Sequence, residues 1–457
     1  MSIAEQFDND AGHRPLTQDL ATWLAGFSAA DLTPSARQWA KHALLDWIGV
    51  TVAGAQEPLV DILLDEYGDG HGGAMTIVGR DRRTNLETAV LINGAASHAL
   101  DYDDVNQRLG GHPTVPVAPV VLGLGEKLGS SGEDVILGLV AGTEMECLIG
   151  QMAGYGHYAA GFHATGTIGT FGAAAAAAKM MNLDGEAVRH AIAIAASQAA
   201  GLKSNFGTMT KPLHAGKAAA NGLMAARLAA RGFTGNEDII ECQQGLADVM
   251  MPGFEAGATA PNPPGYFAIE QTLFKYHAAC YLTHSSIEVI SDMRAEHGLG
   301  LDDLAAMTLR VPTGHFTVCN IPEPSSGLEV KFSIRHCAAM ALDGIDTGAL
   351  ETYSDGIARD PRLNAAREKV EIVADDTVPR MGARVIVQLR DGRTLEGDHD
   401  AGVHAGDVAA QGKKLMAKFN ALCRPLLGEE RTGKLAAGVD AIDGAGSVAE
   451  LMALMRR

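Results

Sequence analysis

From Leu16 to about Phe233 apolar side chains recur at helical spacing, in stretches such as LTQDLATWLAGF, ARQWAKHALLDWIGVTVAG and GEAVRHAIAIAASQAAGL, and this period predicts helix after helix. The stops are written in the chain as well. Asp184 in NLDGEAV suits an N-cap, and Gly232 after AARLAAR suits a C-terminal glycine. Between Gly253 and Gly265 the stretch GFEAGATAPNPPG is rich in Gly and Pro and reads as a domain boundary. Beyond it MTLRV, VEIVADDTV and ARVIVQLRDGRTLEG alternate as strands do, with Asp391-Gly392 as the turn of a hairpin. Helix returns at about Asp407, through DVAAQGKKLMAKFNALC and SVAELMALMRR, and this tail is expected to pack back onto the first domain. The pattern predicts a mainly α protein: a large all-helical domain, residues 1–265 and 405–457, and a smaller α+β domain, residues 266–404.

Length agrees with two cores, since 457 residues exceed the size at which one core stops growing. With 54 glycines, an Ala-rich first half and only 5% aromatic residues, the helices are expected to pack closely through small side chains. A net charge of -19 excludes nucleic acid and anionic membrane as natural partners, because both require basic surface. It also means that an acidic ligand must be held by a local cationic pocket. The six cysteines are scattered without a CxxC pair, and the start MSIAEQFDND lacks the layout of a signal peptide, so reduced thiols and a cytoplasmic location are expected. Cys147 to Ala178 carries no Asp, Glu, Lys or Arg, yet its GYGHYAAGFHATG portion is too polar and broken for a lipid-facing helix.

Four short constellations carry candidate chemistry. The first is Ser97-His98-Ala99-Leu100-Asp101-Tyr102-Asp103-Asp104, followed by GGHPTVP. His112 before Pro113 is expected in extended backbone, with Thr114 capping the next helix, so that the imidazole and an anion would share a helix N-terminus. The plain alternative makes Asp101, Asp103 and Asp104 solvated or capping acids. A carboxylate metal site is a third option, but no ligand spacing supports it and no metal is expected. The second constellation is Gly161-Phe162-His163-Ala164-Thr165-Gly166, where a pre-helical histidine is either a proton carrier aimed into a cleft or a core histidine held by a backbone carbonyl. In the third, Thr210-Lys211-Pro212-Leu213-His214-Ala215-Gly216-Lys217, Lys211 is expected in extended backbone ahead of a helix, as a carboxylate ligand or as a surface lysine. The fourth, Phe274-Lys275-Tyr276-His277-Ala278-Ala279-Cys280-Tyr281-Leu282-Thr283-His284, offers a thiol beside imidazoles or a buried structural cysteine. HExxH, GxSxG, a phosphate loop and an iron-sulfur cysteine cluster are all missing from the sequence.

Taken together and in order, ALDYDD…GGHPT, GFHATGTIGT, TKPLHAGKAAANG and FKYHAACYLTH resemble the successive blocks of the MmgE/PrpD family. That family includes 2-methylcitrate dehydratases, cis-aconitate decarboxylases and an iminodisuccinate epimerase. The resemblance implies a helical domain built from both ends of the chain, a smaller α+β lid, homodimers, a small di- or tricarboxylate substrate and no required cofactor. It places the family's acid on Asp101, its loop histidine on His112, its helix-entry histidine on His163 and its lysines on Lys211 and Lys275. The decarboxylases' next histidine falls on Cys280, a departure that His277 either compensates or does not. The implied chemistry is proton transfer at a carbon beside a carboxylate: Asp101, His112, His163 and Lys211 are catalytic, while Lys275, His277 and Cys280 line the substrate. A dehydratase is the expected form. Decarboxylase, epimerase and a silent carboxylate-binding protein are the alternatives.

Overall fold

The computed structural model describes residues 15–67, 72–254 and 265–457; most of the Gly- and Pro-rich segment and all of MSIAEQFDND lie outside the described residues. The chain divides into two compact units, one running to Phe274 and resuming at Val408–Arg457, the other Lys275–Asp407.

As far as Ala229 the helices of the first unit are α1 (Leu16–Gly26), α2 (Pro34–Gly54), α3 (Pro58–Tyr67), α4 (Leu86–His98), α5 (Thr114–Leu128), α6 (Gly132–Ala159), α7 (Ala164–Thr167), α8 (Gly169–Met180), α9 (Gly185–Ala196) and α10 (Thr210–Ala229). Local chemistry fixes their starts: Thr33, Asn85 and Asp184 side chains accept from backbone N–H groups in the first turns of α2, α4 and α9, and Ser131 with Asp134 closes a capping box on α6. The unit is not wholly helical, because Met75–Thr76 (β1) and Arg83–Thr84 (β2) pair as a short antiparallel ribbon.

Small residues set how closely these helices meet. A Cβ added to Gly94 of α4 would lie 2.9 Å from Gly216 Cα of α10, and one on Gly222 would lie 2.5 Å from Ala173 Cβ of α8. Only glycine permits this approach. Residues Ala173 to Ala178 of α8 are all buried, so dispersion between densely packed small groups replaces the large aromatic core that the composition lacks. Among the described residues α6 alone is long and apolar enough to cross a bilayer, with 89% of its apolar window buried inside the protein; α2 and α3, bent by 83°, pass that test only as a pair. The helix Val408–Leu427, where the chain re-enters this unit, packs on α2.

In the second unit four strands lie in the order β4-β3-β5-β6: Leu304–Val311 (β3), Val370–Ala374 (β4), Gly382–Leu389 (β5) and Thr394–Asp400 (β6). β3 is parallel to β4 and antiparallel to β5, and β5 is antiparallel to β6. Gly392, at φ 92°, turns the β5–β6 hairpin. The helix His284–His297 packs on β5 and β6 and against Ile334–Asp343, burying Val385, Val387 and Leu389. This is an α+β arrangement.

Candidate active site

The loop between α4 and α5 is held from several directions. Lys418, on the helix Val408–Leu427, donates to Asp46 of α2 at 2.6 Å and to the Tyr102 carbonyl at 2.6 Å, and its ammonium lies 3.9 Å from the Tyr102 ring centroid. Val105 exchanges backbone hydrogen bonds with Leu273, and Asn106 pairs with Gly111. Thr114 is the first residue of α5 rather than its cap. The capping group comes from the loop, where Asp104 accepts from the Thr114 N–H and from its hydroxyl. Burial, reinforced by Asp46, pushes the Asp104 carboxyl well above its ordinary value. Asp104 therefore caps and is not solvated. Asp101 is held at φ 51°, a left-handed conformation that Asp tolerates better than most residues.

The end of α4, the turn before α7 and the start of α10 converge on this loop. Asp101 Oδ1 accepts from Lys211 Nζ at 2.9 Å, and His112 Nε2 stands 3.8 Å from the same oxygen. Asp103 lies beneath two imidazoles: both of its oxygens are 3.0 Å from His98 Nδ1, and Oδ2 is 2.8 Å from His112 Nδ1. The His112 approach is off the line of a straight hydrogen bond. The two imidazoles hold the buried Asp103 carboxyl well below its usual range, overcoming desolvation that would raise it. His98, fully buried, is lowered to about 4 by desolvation against the opposing pull of Asp103.

His163 stacks beside His98, with ring centroids 5.7 Å apart, and meets Phe206 edge-on at 4.9 Å. Its Nδ1 lies 3.0 Å from His214 Nδ1. Burial first, then His98, Lys211, His112 and His214, hold its pKa well below the ordinary imidazole value. These surroundings disfavour the imidazolium form of His163. It is not the core histidine satisfied by a carbonyl, because its ring partner is another imidazole. Lys211 is not a surface residue either, at 14% side-chain exposure. It sits inside the first turn of α10 instead of in extended backbone ahead of it. A proline at the third helical position is tolerated there, since its missing N–H would have had no intrahelical acceptor.

Sequence reasoning brought together Asp101, His112, His163 and Lys211, and the structure gathers all four in the first unit. It passed over His98, Asp103 and His214 as working residues. Their signal was present only as membership of the same motifs, since the pairing of His163 with His214 spans 51 positions.

Lys275, His277 and Cys280 belong to the other unit and make contacts of their own there. Lys275 is buried. His277 is pinned between Thr347 Oγ1 at 2.7 Å and Glu288 Oε1 at 3.3 Å. Cys280 is buried and shares a hydrogen bond with Cys319, which together with burial pushes the Cys319 thiol well above its ordinary value.

His98, Asp101, Asp103 and His112 also present one donor atom each within 4.8 Å of one another, the spacing of a metal site. The Lys211 ammonium already lies against Asp101, and Asp103 is engaged by imidazoles, so a dication would have to displace those contacts and sit beside a fixed positive charge. The arrangement combines a carboxylate-paired lysine, imidazoles on a common carboxylate and a buried histidine whose surroundings disfavour its cation.

The mostly helical fold with its small C-terminal sheet is that of a known enzyme family. Residues 18–259 match the MmgE/PrpD N-terminal domain and residues 277–442 the MmgE/PrpD C-terminal domain, and the chain belongs to the MmgE/PrpD family. It is similar to the cis-aconitate decarboxylase of Homo sapiens, 29% identical over 84% of this chain and 82% of that protein. It also resembles a cis-aconitate decarboxylase-like protein, oryM, of Aspergillus oryzae (25% identical, 96% and 97% covered) and the cis-aconitate decarboxylase of Aspergillus terreus (24%, 83% and 84%).

Proposed function

We propose that the protein is a cofactor-independent lyase acting on a small di- or tricarboxylate, removing water from a β-hydroxy acid as a 2-methylcitrate dehydratase does. The observation that carries this reading is the buried His163, whose surroundings disfavour its cation, in the same cluster as the Lys211–Asp101 pair and His112. A neutral imidazole is a base. His163 takes the proton from the carbon next to a carboxylate, and the electron pair left behind is stabilised where Lys211 meets that carboxylate. The pair then forms the double bond as the β-hydroxyl departs, with His112 handing it a proton, so that water is the leaving group.

A second reading is decarboxylation, favoured by the names of the relatives. Carbon dioxide would leave first and an acid would return a proton to carbon. Against it stands Cys280, at the position where the decarboxylases are expected to carry a histidine.

Incubation with 2-methylcitrate, citrate, cis-aconitate and iminodisuccinate in deuterium oxide, followed by NMR, separates these. Loss of water from a hydroxy acid is expected. Carbon dioxide release from cis-aconitate would replace the first reading with the second, and binding without exchange or turnover on any of the four would leave a carboxylate-binding protein.

A further inference from the structure

We propose that His214 is a positioning residue that fixes the tautomer of His163, accepting a hydrogen bond from His163 Nδ1 so that His163 Nε2 is left as the base. This rests on the proposed acid–base role of His163. His214 lies one helical turn after Lys211 on α10, so the two side chains share a face of that helix. The ring is seated against two glycines: a Cβ on Gly166 would lie 3.0 Å from His214 Cβ, and one on Gly201 would lie 3.4 Å from its Nδ1. His163 is fixed from its own side by its N–H donating to the Gly201 carbonyl at 3.0 Å. Two rings held this way bring Nδ1 to Nδ1 at 3.0 Å, and such an approach requires one hydrogen between them.

Both rings are disfavoured as cations, His163 by burial and by His98, Lys211, His112 and His214, and His214 by burial and by Lys211. One neutral ring must therefore donate and the other accept. If His214 donates, His163 carries its hydrogen on Nε2 and cannot take a proton there. If His163 donates, its Nε2 lone pair is free for the substrate. During turnover the carbon keeps the electron pair of the broken C–H bond, and the proton goes to His163 Nε2. The hydrogen on Nδ1 stays shared with His214, and His163 returns to neutrality when Nε2 gives its proton up. Fixing an imidazole by a hydrogen bond at its far nitrogen is a general requirement of histidine bases.

The test uses the full-length protein labelled with nitrogen-15 histidine and needs no substrate for its first part. Long-range nitrogen–hydrogen spectra should show His163 protonated at Nδ1 in the wild type, and that state should be lost in His214→Phe. His214→Asn, whose amide can reach the Nδ1 position, should restore it. In turnover His214→Phe should lower kcat about a hundredfold with little change in KM, while His214→Asn should stay within about tenfold of wild type. A wild-type His163 protonated at Nε2, or a tautomer indifferent to His214→Phe, would overturn the proposal whatever the substrate. If His214→Phe does not fold, the wild-type and His214→Asn spectra decide. Should the substrate reading itself fail, no carboxylate would turn over, yet the spectra would still report the pair.

Discussion

Lys211 is paired with Asp101 at 2.9 Å, so in the proposed reaction a substrate carboxylate would share that ammonium with a residue of the protein. Lys211→Ala should therefore weaken substrate binding and turnover together, because one cation serves the ground state and the developing charge. His163→Ala should lower kcat by about a hundredfold or more with a smaller change in KM. Thermal melts beside steady-state kinetics check both, and a folded His163→Ala enzyme with near-normal kcat would transfer the base role to His112. At the same scale, activity should survive exhaustive chelation. Loss restored by a divalent ion would turn His98, Asp101, Asp103 and His112 into ligands and undo the acid–base reading.

At the scale of elements, the loop that carries Asp101, Asp103 and Asp104 is anchored by a helix far away in sequence. Lys418→Met would strand the buried Asp46 carboxylate and remove the donor to the Tyr102 carbonyl. Losing one partner of a buried pair costs about 3–5 kcal/mol. The expected result is a lower unfolding midpoint and lower kcat together, and adding Asp46→Asn should recover part of the stability. A double variant no more stable than Lys418→Met alone would show that the pair is not what anchors the loop. These elements also show what a sequence can disclose. The Asp184 cap, the Gly392 hairpin and the strands at Leu304–Val311 and Gly382–Leu389 were legible because short-range chemistry decides them. Asp104 as the cap of α5, and His214 as the partner of His163, were not legible, because each depends on where separate segments meet. Lys211 was misplaced for a local reason: the bias of a pre-proline residue toward extended backbone yielded to the packing of α10 against α4.

For the molecule as a whole, buried titratable groups pull stability in two directions. His98, His315 and His336 are each lowered to about 4 by burial, and burial also holds His163 well below its ordinary value. The unfolded chain binds more protons than the folded one between about pH 6.5 and 4, so on this account stability falls as pH drops, by up to about 1.4 kcal/mol per unit per group. Asp104 and Glu146 act the other way. Burial raises both, and both Glu146 oxygens are buried without a hydrogen-bond partner among the described residues. The folded state keeps protons that the unfolded chain releases above about pH 4, so these two groups lower stability as pH rises through the neutral range. Melting temperature should therefore rise from pH 5 to a maximum near neutrality and decline above it. Glu146→Gln should gain on wild type progressively between pH 5 and 9; a constant difference between the two curves would mean that Glu146 is ionised in the folded protein.

The anchoring of the loop by Lys418 also sets an order of events during synthesis. Asp46 and its ammonium partner are 372 positions apart, and the Tyr102 carbonyl waits across 316. At ribosomal rates of about 5–20 residues per second, the nascent chain exposes Asp46 for roughly 20 to 75 seconds before its cation is made. All of Lys275–Asp407 emerges within that interval. The inserted unit is thus complete in sequence before the loop between α4 and α5 receives its anchoring ammonium, and other parts of the first unit wait longer still, since the Gly79 N–H donates to the Met455 carbonyl.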